Sequence, residues 1–133
     1  MLIRFLGAAR TVTGSSHVIE VNNTRIMLDC GLFQGRRSEA RVANETTCRG
    51  DVCDRLDAVV LSHGHLDHCG RLPMLTTLAG YKGPIYCTDA TAEVSRVVLS
   101  DSAEIQLEDA EYLNRRTRRA GDPEVRPLYT PQD

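Results

Sequence analysis

Apolar positions along this chain fall in short bursts, separated by polar and glycine-rich stretches. The burst Leu2–Leu6 predicts a short strand ended by Gly7. His17-Val18-Ile19-Glu20-Val21 alternates with a period of two, Asn22-Asn23 supplies a tight turn, and Thr24-Arg25-Ile26-Met27-Leu28-Asp29 returns as the partner strand until Cys30-Gly31. The first thirty residues therefore read as a β-meander. The segment Gly7–Ser16 is small and polar and reads as a loop. From Gly35 to Arg55 there is no clear period beyond a helical piece around Ser38 to Asn44. Ala58–Leu61 is a continuous apolar run, the pattern of a strand covered on both faces. Leu72, Leu75 and Leu78 recur three apart and predict a helix starting near Pro73. Gly80–Pro84 is a turn, and Ile85-Tyr86-Cys87 a further strand. Thr88 or Asp89 then caps a long helix whose apolar line runs through Val94, Val97, Val98, Ile105 and Tyr112 and which stops near Gly121-Asp122-Pro123. The tail Glu124–Asp133 shows no element of its own. This order gives an α/β chain with a mixed sheet and two helices.

Composition narrows the class only moderately. A length of 133 residues suits one domain with a modest core, and 41% hydrophobic with 26% charged residues is ordinary for a soluble globular protein. A net charge of −2 gives no global basic field, so any contact with nucleic acid must use a local patch. No apolar stretch approaches the roughly 20 residues of a membrane span. Met1-Leu2-Ile3-Arg4-Phe5 is too short for a signal peptide, so a cytoplasmic location without a membrane partner is expected. The cysteines are Cys30, Cys48, Cys53, Cys69 and Cys87, with no CxxC pair. Cys48 and Cys53 read as two unpaired thiols rather than a clip, and Cys30 and Cys69 as small buried fillers.

One segment resists any packing explanation. His63-Gly64-His65-Leu66-Asp67-His68 packs three imidazoles and a carboxylate into six residues at the end of the apolar run. Neutral imidazole and carboxylate are ligands for zinc and similar divalent ions, and burying them without partners costs several kcal/mol. Alternate residues of an extended segment point the same way, so His63 and His65 converge on one ion. Where the chain turns into a helix, Asp67 and His68 address a second. Two-metal hydrolases hold such ions about 3.5–4 Å apart. Each ion then needs a further protein ligand. His17, the remaining histidine, reads as structural.

The His63–His68 cluster resembles the HxHxDH signature of the metallo-β-lactamase fold, and Leu28-Asp29-Cys30-Gly31 resembles that fold's upstream Asp motif. Gly7-Ala8-Ala9-Arg10-Thr11-Val12-Thr13-Gly14-Ser15-Ser16-His17 is similar to the opening of the β-CASP branch of RNA-processing nucleases. That branch includes the endonuclease of the eukaryotic pre-mRNA cleavage and polyadenylation machinery and its bacterial and archaeal relatives. Gly70-Arg71-Leu72-Pro73, Asp101–Gln106 and Pro127-Leu128-Tyr129-Thr130 resemble the same branch. The resemblance implies residues 1–133 as the N-terminal half of a metallo-β-lactamase αββα sandwich, with the second half and the β-CASP domain absent. It implies His63 and His65 on one Zn2+ and Asp67 and His68 on the other, two ions per intact site. Asp67 would also help position water, and Asp29 would orient ligands by hydrogen bonds. The implied reaction is zinc-dependent hydrolysis of RNA phosphodiesters, with this stretch inactive alone.

Two other functions stay open on the residues: hydrolysis of a small ester or thioester on the same fold, or a non-catalytic module completed by a partner chain. Half a sandwich would leave a sheet edge and an apolar face open, so a homo-dimer or other self-association through the sheet edge is expected. The run Arg115-Arg116-Thr117-Arg118-Arg119 suits a helix C-terminus and is a candidate phosphate contact. The Gly7–Ser16 loop lacks the ending of a P-loop and reads as structural, with Arg10 a candidate substrate contact.

Overall fold

In the computed structural model, residues 1–47, 53, 55–116 and 123–133 are described. The strands are β1 (Leu2–Gly7), β2 (Ser16–Val21), β3 (Thr24–Leu28), β4 (Ala58–Val60) and β5 (Ile85–Tyr86). The helices are α1 (Arg37–Thr47), α2 (Leu66–Cys69), α3 (Leu72–Thr77) and α4 (Asp89–Arg116). The strands form one mixed sheet in the order β1-β2-β3-β4-β5. The meander β1–β3 is antiparallel, while β4 and β5 join it in parallel. Asn22 and Asn23 both take left-handed φ values, 48° and 66°, which is what a two-residue type I′ hairpin demands. Thr88 caps α4 by accepting the Thr91 N–H on its hydroxyl (3.2 Å). The two expected helices appear as α3 and α4. The helical piece near Ser38–Asn44 extends to the whole of α1, and α2 is a single turn carrying Asp67 and His68.

One face of the sheet builds the core. Val18, Met27, Val59 and Leu61 meet Cys30, Cys69, Leu72, Met74, Leu75, Ala103 and Tyr129. The opposite face carries a transverse row Phe5–His17–Leu28–Val60–Tyr86 and a second row Ile3–Ile19–Ile26–Ala58. Phe5 and Tyr86 stand mostly exposed there, and Val60 is 38% exposed beside fully buried Val59. This corrects the expectation that β4 is covered on both faces: its apolar run alternates between a packed and an open side.

The long helix brings a second correction. Val94, Val97, Ile105 and Tyr112 are exposed, and the buried face of α4 is instead Thr91, Ser95, Ser102, Ala103 and Ala110. The reason lies in the tail, which read as structureless. Ser102, Gln106, Ala110 and Asn114 recur every four residues along one stripe of α4 and grip it. The Gln106 side-chain oxygen accepts the Leu128 N–H (3.0 Å). Asn114 accepts from Val125 N–H (2.9 Å) and donates to Val125 C=O (2.8 Å). The buried Tyr129 hydroxyl donates to Ser102 Oγ (3.0 Å). Small and amide side chains let an extended segment lie close and satisfy its backbone, which large aliphatic ones cannot do.

Candidate metal centre

A four-residue helix cannot stabilise itself, and α2 is held by backbone lacing from two distant segments. The carbonyls of Leu66, Asp67 and His68 accept the N–H groups of Leu32, Ser15 and Cys30, each at 2.8 Å. Gly31 N–H donates to Ser15 C=O, and Arg71 N–H to Cys30 C=O, also at 2.8 Å. The contact is so close that a Cβ on Gly31 would lie 1.6 Å from the Asp67 carbonyl oxygen. Glycine is required there.

Asp29 is the hub. Its backbone takes a left-handed φ of 58°, a conformation that Asp tolerates better than most residues. Its buried carboxylate accepts from Ser62 N–H (2.8 Å), Ser62 Oγ (3.0 Å) and Ser15 Oγ (3.2 Å), and pairs with His68 Nδ1 at 2.7 Å. Burial by itself would raise this carboxyl. The Ser62 N–H, His68 and the Ser62 hydroxyl together outweigh it and hold the group below the usual Asp range.

This network sets which imidazole nitrogens are free. With Asp29 ionised and His68 a neutral imidazole, the His68 proton sits on Nδ1 and the Nε2 lone pair lies on the other side of the ring, 3.6 Å from Asp67 Oδ2. The Ser62 hydroxyl, donating to Asp29, accepts from His63 Nδ1 at 2.9 Å. That leaves His63 Nε2 as the acceptor, 3.1 Å from His65 Nδ1. The ring centroids of His63 lie 4.7 Å from His65 and 4.0 Å from His68, so the three imidazoles form one cluster. Outward Nε2 lone pairs fixed through Nδ1 are the arrangement of metal-ligating histidines. Among the described residues no three His, Cys, Asp or Glu side chains close on a common point. The nearest polar approaches within the cluster are His63 Nε2 to His65 Nδ1 at 3.1 Å and His68 Nε2 to Asp67 Oδ2 at 3.6 Å. Ser62 escaped the sequence reading, because a serine at a strand end looks like any turn residue.

The other candidates lie apart from the cluster or outside the described residues. His17 packs edge-on against Phe5, with ring centroids 5.2 Å apart. Arg10 is exposed on the opening loop, where a Cβ on Gly7 would lie 1.9 Å from the Gly14 carbonyl oxygen. That close backbone approach agrees with the structural reading of the loop. Arg115 stands 3.7 Å from Glu111 at the exposed end of α4, while Arg118 and Arg119 lie outside the described residues. Cys30, Cys53 and Cys69 are buried, and burial pushes the Cys69 thiol up; Cys48 lies outside the described residues.

Set against known families, residues 24–125 match the profile described as the beta-lactamase superfamily domain, and the chain belongs to this metallo-β-lactamase family. Ribonuclease TTHA0252 of Thermus thermophilus is 47% identical over 102 residues, covering 77% of this chain and 22% of the relative. Integrator complex subunit 11 of Danio rerio is 37% identical over 105 residues, covering 77% and 18% respectively. Transcription termination factor FttA of Methanocaldococcus jannaschii is 36% identical over 103 residues, covering 77% and 16%. The chain thus spans about a fifth of the length of the curated relatives it matches. No helix among the described residues is long and apolar enough to cross a membrane.

Proposed function

We propose that these residues form the first half of a two-zinc centre that hydrolyses RNA phosphodiesters, in the β-CASP branch of the family. The observation that carries this reading is the Asp29-centred network, which holds His68 and, through Ser62, His63 by their Nδ1 atoms beside His65 and Asp67. The opening loop Gly7–Ser16 and the ribonuclease relative support RNA as the substrate class. His63 and His65 would hold one ion, and Asp67 and His68 the other. Bound zinc supplies Lewis acidity, which activates water near neutral pH and neutralises charge on phosphoryl oxygens. Asp67 would also help position the water. Asp29 keeps the His68 ring in its ligand tautomer, and Ser62 relays the same control to His63. Each ion would need at least one further protein donor besides these residues. The proposed location is cytoplasmic.

The test is zinc content per chain, by elemental analysis of wild type and Asp67→Ala after dialysis against buffered zinc. Bound zinc in wild type that falls in Asp67→Ala is expected. Equal zinc in both proteins removes Asp67 from the ligand set. A longer version of the protein, offered RNA and a thioester, should cleave the RNA alone, and thioester turnover would overturn the substrate class.

A further inference from the structure

Arg71 is 1% exposed, the largest side chain buried so completely, and the proposed chemistry does not use it. Its Nε–H donates to the Gly31 carbonyl, while both terminal nitrogens are buried with no acceptor among the described residues. The guanidinium carbon lies 4.8 Å from the centroid of the Phe33 ring. A guanidinium has five N–H donors, and a buried charge left mostly unpaired costs stability; an apolar side chain of like volume is often neutral or better there. A fold that wanted only packing would place leucine or methionine at this position.

The surroundings show what the arginine holds. Its backbone N–H donates to Cys30 C=O and its side chain takes Gly31 C=O, so it grips the Asp29-Cys30-Gly31 turn at two consecutive carbonyls. Phe33, beneath it, is clamped by Asn44, which accepts its N–H (2.8 Å) and donates to its C=O (3.0 Å). The Phe33 ring sits where a Cβ on Gly7 or Gly14 would be 2.9 or 2.5 Å away, so it also seats the opening loop. We infer that Arg71 is a positioning residue: its buried guanidinium locks the Asp29 turn against the HGHLDH segment and sacrifices fold stability to do so. This rests on the metal reading only for its effect on zinc.

The experiment compares wild type with Arg71→Met and Arg71→Lys in the 133-residue chain. It measures thermal unfolding, amide hydrogen exchange and zinc affinity by competition with a chromophoric chelator. Arg71→Met should melt no lower than wild type. Its amides at Ser15, Cys30, Gly31 and Leu32 should exchange at least about ten-fold faster, while those of the β2–β3 ladder stay unchanged. Zinc affinity should fall about 10–100-fold, the range for residues that orient ligands. Arg71→Lys, which keeps one donor for the Gly31 carbonyl, should restore part of the lost protection. A lower melting point with uniformly faster exchange would make Arg71 an ordinary packing residue, and unchanged exchange at the four amides would overturn the proposal. Should wild type itself bind no zinc, the metal reading fails, while the exchange data still decide the role of Arg71.

Discussion

The proposed role of Asp29 is to orient the histidines without touching metal, and its replacement tests that directly. Asn adopts the left-handed backbone as readily as Asp, so Asp29→Asn removes the charge and the acceptor for His68 Nδ1–H without straining the chain. Zinc affinity should fall about 10–100-fold in the chelator competition. The carboxyl also predicts a pH dependence. Its folded-state pKa lies below its unfolded one, so its stabilisation is fully present above the ordinary carboxylate value of about 4. It is lost as the pH falls through the lower, folded value. Urea midpoints of zinc-free protein should therefore drop in this acid window for wild type and drop less for Asp29→Asn. A parallel drop in both would remove Asp29 as the source.

The elements around the site depend on side chains that clasp backbone. On α4, Gln106 and Asn114 hold the tail by three hydrogen bonds, and Tyr129 adds one from a buried hydroxyl that burial keeps neutral. Asn114→Ala leaves both polar groups of Val125 without that partner and should cost about 1–3 kcal/mol in urea unfolding. Tyr129→Phe should cost about 1 kcal/mol. An unchanged midpoint in Asn114→Ala would mean that the tail does not dock on α4. Gly31→Ala drives a methyl into the Asp67 carbonyl and should abolish cooperative unfolding or cost more than about 3 kcal/mol, together with zinc binding. These clasps explain why α4 was misjudged from sequence. Val94, Val97 and Ile105 carry the hydrophobic signal, but the helix buries the residues that can lie against an extended strand of chain.

For the molecule as a whole, the open sheet face sets the expected behaviour. Phe5, Val60 and Tyr86 lie in one transverse row, with Ile3, Ile19 and Ile26 in the next, and β1 is an edge strand. An apolar face with a free edge favours association, so light scattering on this chain should show a mass that rises with concentration. Ile19→Lys should lower it, and a monomer at all concentrations would contradict the expectation. The proposed RNA contact belongs to this scale as well. Replacing Arg115 and Arg116 should reduce the salt slope of RNA binding by about one to two if both contact phosphate. An unchanged slope would assign them to the helix end alone.

Much of this arrangement was legible because it is local. Period-two alternation marked β2 and β3, Asn22-Asn23 marked the hairpin, and a hydroxyl before Asp89 marked the start of α4. Ligand type and spacing marked His63, His65, Asp67 and His68. Those signals operate within a few residues, where backbone geometry alone relates side chains to one another. The open side of β4, the buried stripe of α4, Ser62 and Arg71 were not legible, since each is defined by a partner far away in the chain. The same division runs through the metal centre. Sequence by itself determined which candidate donors are present and how they are spaced. Only the tertiary structure decided which nitrogen of His68 faces a carboxylate, because Asp29 reaches it across 39 residues, and no local pattern encodes a hydrogen bond closed by the fold.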